Sequence, residues 1–125
     1  MSFDWSEYLK LARQLAVLDG SALDQEARLR SAISRAYYAA FCRSRNYLRD
    51  TQKGSVPGGA KAHAYVREQF LNSSVETRKE LGENLERLRE ARNKADYDDN
   101  VPGLSGLART ALKWAEDAIA SLGSL

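Results

Sequence analysis

The chain is poor in the residues that build covalent or metal-held frameworks. Its 125 residues include one cysteine, Cys42, and one histidine, His63. A single thiol closes no internal disulfide and fits a reducing compartment. One imidazole without paired cysteines or an HExxH pair leaves no zinc constellation, so no metal is expected. Apolar runs are short as well, and none approaches the roughly 20 residues that a bilayer crossing requires. The opening stretch MSFDWSEYLKLARQL carries acids in a helical pattern, where an export signal would place basic residues before an apolar run. The expectation is a cytoplasmic protein with no membrane part. A formal net charge of +2 does not by itself imply nucleic acid, because binding to phosphates depends on how Lys and Arg are clustered.

What is present is ordinary for a soluble globular protein: 43% hydrophobic and 29% charged residues. The length suits one domain, residues 1–125, with a single core. Apolar residues recur at helical spacing. They predict a first helix from Asp4 to Val17, with Trp5, Tyr8, Leu9, Ala12, Leu15 and Ala16 on one face and Gly20 closing it. Asp19-Gly20-Ser21 is then a turn. A long second helix, Asp24 to Arg49, points Leu29, Ile33, Ala36, Tyr37, Ala40, Tyr47 and Leu48 inward, and TQKGSVPGG follows as a loop. A short third helix, Ala60 to Leu71, aligns His63, Val66 and Phe70. The fourth, Val75 to Ala95, is capped by Ser73 or Ser74. Pro102-Gly103 turns the chain into a fifth helix, which presents Leu107, Ala111, Trp114, Ala115, Ala118, Ile119 and Leu122. No segment alternates apolar and polar residues, so no sheet is expected. The fold class is all-α: an up-and-down bundle of four to five helices, the short third one lying across it.

One arginine breaks the pattern. Leu81, Leu85, Leu88 and Ala95 form one stripe of the fourth helix, and Arg92 falls inside it. Leaving a buried guanidinium unpaired costs on the order of 3 to 5 kcal/mol, so Arg92 must be paired or must face a cleft. Asp96, one turn later, is the nearest partner. Two readings stand side by side: a structural bridge at the helix end, or a planar fork that holds a phosphate.

A second feature lies on the long helix. Arg28, Ser31, Arg35, Tyr38, Cys42, Arg45 and Arg49 share the face opposite Ile33 and Ala40. Such a column is either a solvated surface or a grip for backbone phosphates, with Tyr38 stacking on unpaired bases. Tyr37 and Tyr38 differ by about a quarter turn, so Tyr37 packs inward and Tyr38 reaches the arginines. His63, as the sole imidazole, is either a packing residue or the group for an acid–base step near pH 7. Cys42 is read as a small filler. DYDDN lacks the glycine and closing glutamate of a calcium loop, Gly58-Gly59 follows a proline without a preceding strand, and no cofactor is expected.

SAISRAYYAAFCRSRNYL (Ser31 to Leu48) resembles the signature second helix of HEPN domains, and LREARNKADYDD (Leu88 to Asp99) resembles their helix-four motif. KAHAYVREQF resembles the short helix between them. The resemblance implies a helical bundle, pairing of two protomers through the motif helices, and partnership with a nucleotidyltransferase antitoxin in a toxin–antitoxin module. Many members are metal-independent endoribonucleases whose motif is an arginine followed a few residues later by a histidine. Arg92 matches that arginine and Asn93 the polar residue after it, but Tyr97 stands where the histidine would fall. The candidate catalytic set is then Arg92, Asn93, Asp96 and Tyr97, while the arginine column and the lone imidazole offer Arg35, Tyr38, Arg45 and His63 as the residues binding RNA or a nucleotide.

Cleaving RNA without metal needs a base for the 2′-hydroxyl, an acid for the leaving oxygen and a cation for the phosphorane. Arg92 supplies only the cation. A tyrosine with an ordinary pKa of about 10 and an aspartate near 3.9 are both poor bases at neutral pH. Three functions therefore compete: an RNA-cleaving, toxin-type homodimer with a composite cleft around RNKADY, which is the reading taken from the sequence, a catalytically inactive nucleotide- or RNA-binding module that serves a nucleotidyltransferase, as the alternative, and a structural dimer.

Overall fold

The three- and four-residue apolar spacing becomes, in a computed structural model that describes residues 2–17, 22–52 and 55–125, five helices and no strand among those residues. They are α1 (Ser6–Leu15), α2 (Ala22–Gln52), α3 (Lys61–Leu71), α4 (Glu76–Tyr97) and α5 (Leu104–Gly123). The class and number of helices are as expected. The boundaries differ for local reasons.

Helix α1 starts later than Asp4, because the Asp4 carboxylate accepts a hydrogen bond from the Ser6 N–H at 3.0 Å and so sits before the helix. The Asp19–Ser21 turn lies outside the described residues. Helix α2 runs past Arg49 to Gln52 and takes the first two residues of the expected loop. Helix α4 begins at Glu76 without a serine cap. Ser73 instead accepts from the Val75 N–H at 3.1 Å and turns the chain before the helix. At its other end α4 continues through Tyr97, so Asp96 and Tyr97 are helical and project near Arg92.

Helices α2 and α5 pack against each other at the centre, α1 and α4 flank them, and α1 does not touch α4. Helix α3 lies mainly against α4, with a smaller contact to α2. The start of α2 lies beside the end of α4, where Arg30 donates to the Ala95, Asp98 and Asp99 carbonyls at 2.9, 2.7 and 3.1 Å. At the opposite end of the pair Arg78 donates to the Tyr47 hydroxyl at 3.3 Å. Helices α2 and α4 are thus antiparallel, whereas α2 and α5 run parallel, with Leu29 near Ala108 at their starts and Tyr47 near Leu122 at their ends.

The core is continuous, with Ile33, Leu48, Phe70, Leu81 and Leu88 all essentially out of solvent. Alanines 36 and 40 of α2 and 111, 115 and 118 of α5 are buried, and side chains this small let packed helices approach closely. Gly82 does the same for α3: a Cβ there would lie 2.6 Å from the Leu71 nitrogen. Gly103, at φ +68°, makes the left-handed step into α5.

Candidate functional site

Arg92 is held from four sides. Its Nε lies 2.9 Å from Asp96 Oδ2, an ion pair one helical turn along, although the N–H has no aligned hydrogen-bond acceptor. Its terminal nitrogens donate to Tyr38 Oη at 2.8 Å and to Asn93 Oδ1 at 3.1 Å. The guanidinium carbon lies 5.3 Å from the Tyr38 ring centre and 5.7 Å from that of Tyr97, within cation–π range. Arg92 is therefore paired, as the bridge reading required. It is also reachable, because its side chain keeps 18% of its exposure and each terminal nitrogen has a second N–H not used in these bonds.

The four candidate catalytic residues, Arg92, Asn93, Asp96 and Tyr97, all gather here. Tyr97 is the most open, 72% exposed. Two supports were not visible in the sequence. Ser34, buried on α2, donates to Asp96 Oδ2 at 3.4 Å, and Arg30 fixes the last carbonyls of α4 that follow the motif.

His63 comes from α3 to the same tyrosine pair. Its ring stacks on Phe41 at 4.2 Å and parallel to Tyr37 at 5.7 Å, and its Nδ1 shares a hydrogen bond of 2.5 Å with Tyr37 Oη. Tyr37 is buried, with 1% of its surface exposed, and no other hydrogen-bond partner of its hydroxyl occurs among the described residues. A buried hydroxyl proton without an acceptor is costly, so Tyr37 donates and Nε2 carries the imidazole proton. Burial pushes the Tyr37 hydroxyl pKa well above 10, which keeps it a donor. Burial, reinforced by Arg92, Arg89 and Arg67, pulls the His63 pKa below its ordinary 6.5. His63 is a neutral proton donor near pH 7.

The arginine column of α2 divides. Arg28 turns to α1, where it donates to the Gln14 carbonyl at 2.9 Å and lies 3.9 Å from Asp24. Arg49 pairs with Asp50 at 3.4 Å. These two belong to the scaffold, so the expected column is shorter than its spacing suggested. Arg35 and Arg45 have no carboxylate within ion-pair distance among the described residues. Arg35 lies over the Tyr8 and Tyr38 rings at 4.9 and 5.9 Å, and Arg45 lies over Trp5 at 5.5 Å.

Trp5 and Tyr8, expected in the packing face of α1, are only partly buried. They form one wall of a pocket of about 520 Å³ that Arg35, Tyr38, Phe41, Arg45 and His63 share, with Pro57 to Gly59 at its rim. Cys42 also borders it and is buried; burial pushes its thiol pKa up, which fits a filler. A second cavity of about 560 Å³ lies at the α4–α5 turn. Its lining includes neither Arg92 nor any aromatic ring.

The geometry thus gives one basic, aromatic face on which α2, α3 and α4 converge. Arg67 and Arg89, which the sequence pattern did not single out, add to the positive charge that disfavours a protonated His63. No group of three or more His, Cys, Asp or Glu side chains that could hold a metal occurs among the described residues, and no described helix is long and apolar enough to cross a membrane. Among protein families, the HEPN domain matches over residues 7–124. No curated protein and no solved structure matches the chain.

Proposed function

The chain belongs to the HEPN domain family, and from that premise we propose that it is an RNA-binding module whose Arg92 crevice takes a backbone phosphate. The observation that carries this reading is the state of Arg92. It is partly buried, oriented by Tyr38 and Asn93, and balanced by one carboxylate, Asp96, which an incoming phosphate can displace. Uncompensated arginines nearby add attraction for an anion, and the rings among them suit unpaired nucleotides more than duplex.

A second reading is cleavage: a toxin-type, metal-independent endoribonuclease in which two protomers form a composite cleft, held in check by a nucleotidyltransferase antitoxin. The position of His63 favours it, since α3 brings an imidazole to the tyrosines that also hold Arg92. The resting hydrogen bond argues the other way. With Nδ1 accepting from Tyr37, a neutral His63 has no free lone pair to take the 2′-hydroxyl proton. Binding is the reading this geometry supports best, and a nucleotidyltransferase is a fitting partner for a module that presents RNA without cutting it.

One experiment separates the two. Single-stranded RNA is titrated in chelator against the protein and Arg92→Ala, and the RNA is then examined for breaks. The expected result is intact RNA and a loss of affinity of about tenfold or more in the variant, the scale of a lost charge-assisted contact. Cleavage that disappears in Arg92→Ala would establish the enzyme instead. Equal affinity in both proteins would remove the phosphate site altogether.

A further inference from the structure

We infer that the pocket beside Arg92, between α1, α2 and the start of α3, is a nucleobase subsite, so that this protein takes a nucleotide by both ends: phosphate on Arg92, base among Trp5, Tyr8 and Tyr38. The inference rests on the phosphate reading of Arg92, yet its own support is independent. The pocket, about 520 Å³, falls in the size range of small-molecule sites. Its walls are aromatic on the α1 and α2 sides, and no acidic residue lines it.

The two cations in it lack a carboxylate partner among the described residues, as Arg67, Arg78, Arg87, Arg89 and Arg109 also do, but these two line one pocket together. Arg13, Arg28, Arg30, Arg43 and Arg49 each have a carboxylate partner, whereas Arg35 and Arg45 have rings: Tyr8 and Tyr38 for one, Trp5 for the other. A guanidinium held over a ring, with no carboxylate on it, keeps terminal N–H groups available, although Arg45 Nε donates to Asn46 Oδ1 at 3.1 Å, and its plane can stack on a base. An apolar ligand would leave both charges desolvated and unbalanced. A plain anion would leave the rings without a partner. A planar base offers a face to the rings and guanidinium planes and ring nitrogens or exocyclic oxygens that accept from their N–H groups, so both cations stay hydrogen-bonded.

Tyr38 links this pocket to the Arg92 crevice. Its ring lines the pocket while its hydroxyl accepts from Arg92, so adjacent parts of one ligand meet the two sides of a single residue. His63 is also shared. With Nδ1 engaged by Tyr37, its Nε2–H is left to donate to a ring nitrogen or exocyclic oxygen of the base.

The test reads the base separately from the phosphate. In a Trp114→Phe background Trp5 is the sole tryptophan, and its fluorescence is followed while adenosine 5′-monophosphate, ribose 5-phosphate or a short oligoadenylate is added. Calorimetry on the unsubstituted protein makes the same comparison. The expected result is quenching by the nucleotide and binding about tenfold or more tighter than for ribose 5-phosphate, the scale of one stacked base. Arg45→Met and Trp5→Leu should each erase that advantage. A stronger response to the oligoadenylate than to the mononucleotide assigns the site to a strand, and an equal response assigns it to free nucleotide. No preference for the nucleotide over ribose 5-phosphate, or a preference unchanged in both variants, overturns the base subsite. Arg92→Ala distinguishes the two readings: a base preference that persists while the phosphate contribution is unchanged keeps this pocket and removes the Arg92 site.

Discussion

At the scale of single residues, the site is governed by where charges go when water is removed. Arg92 is tolerable on an apolar stripe because Asp96, Asn93 and Tyr38 surround it. His63 faces the opposite constraint. Arg92 and Arg89 from α4 and Arg67 from its own helix, together with burial that contributes most, disfavour its charged form, and Tyr37 from α2 holds it neutral. The folded pKa therefore lies below the 6.5 of the unfolded chain. Below that pH the unfolded state binds the proton more readily, so this contribution to stability is complete above pH 6.5 and is lost as pH falls through it toward the folded value. Urea midpoints measured from pH 8 down to pH 5 should fall more steeply for this protein than for His63→Asn. Parallel pH curves for the two would contradict the assignment.

At the scale of elements, the placement of α3 decides whether the site exists, since α3 supplies His63 and Arg67. What lets it approach α4 is the absence of a side chain at Gly82, where an added Cβ would meet the Leu71 backbone at 2.6 Å. Backbone cannot move aside as a flexible side chain does. Gly82→Ala gains about 1 kcal/mol of helix propensity but overpacks a buried contact at a cost of about 1 to 3 kcal/mol. A net loss of about 1 kcal/mol in chemical unfolding is expected, with weakened RNA binding because His63 is displaced. A stabilised Gly82→Ala protein would show that α3 yields easily. Helix α4 is anchored from outside in the same manner, its last carbonyls gripped by Arg30 of α2.

At the scale of the whole molecule, α1 and α4 never meet, and α2 with α5 carries both. A single hydrophobic cluster spans all five helices, and the size is one at which unfolding is usually all-or-none. Leu88, fully buried on α4, should reveal that unity. Leu88→Ala is expected to cost about 2 to 5 kcal/mol and to shift the helix signal in circular dichroism and the tryptophan fluorescence to the same midpoint, although Trp5 sits at the start of α1 and Trp114 on α5. Separate midpoints would mean that α3 and α4 unfold as their own unit.

The helices and most of their inward faces were legible in the order of residues alone. Period and punctuation are local, and Leu81, Leu85 and Leu88 announce a buried stripe without reference to any partner. The same order marked Arg92 as a misfit and Tyr38 as the outward member of its pair, because both follow from angles on one helix. Which charges are already compensated follows from how the helices pack. Arg28 and Arg35 are equivalent on the α2 wheel, yet one is taken up by Gln14 and Asp24 while the other lies on tyrosine rings. Arg30, Ser34, Arg67 and Arg89 give no periodic signal at all, since their roles arise across helix pairs. A helix wheel fixes direction around one axis, whereas pairing, burial and a shifted pKa depend on distances between axes, which exist only once the bundle has closed.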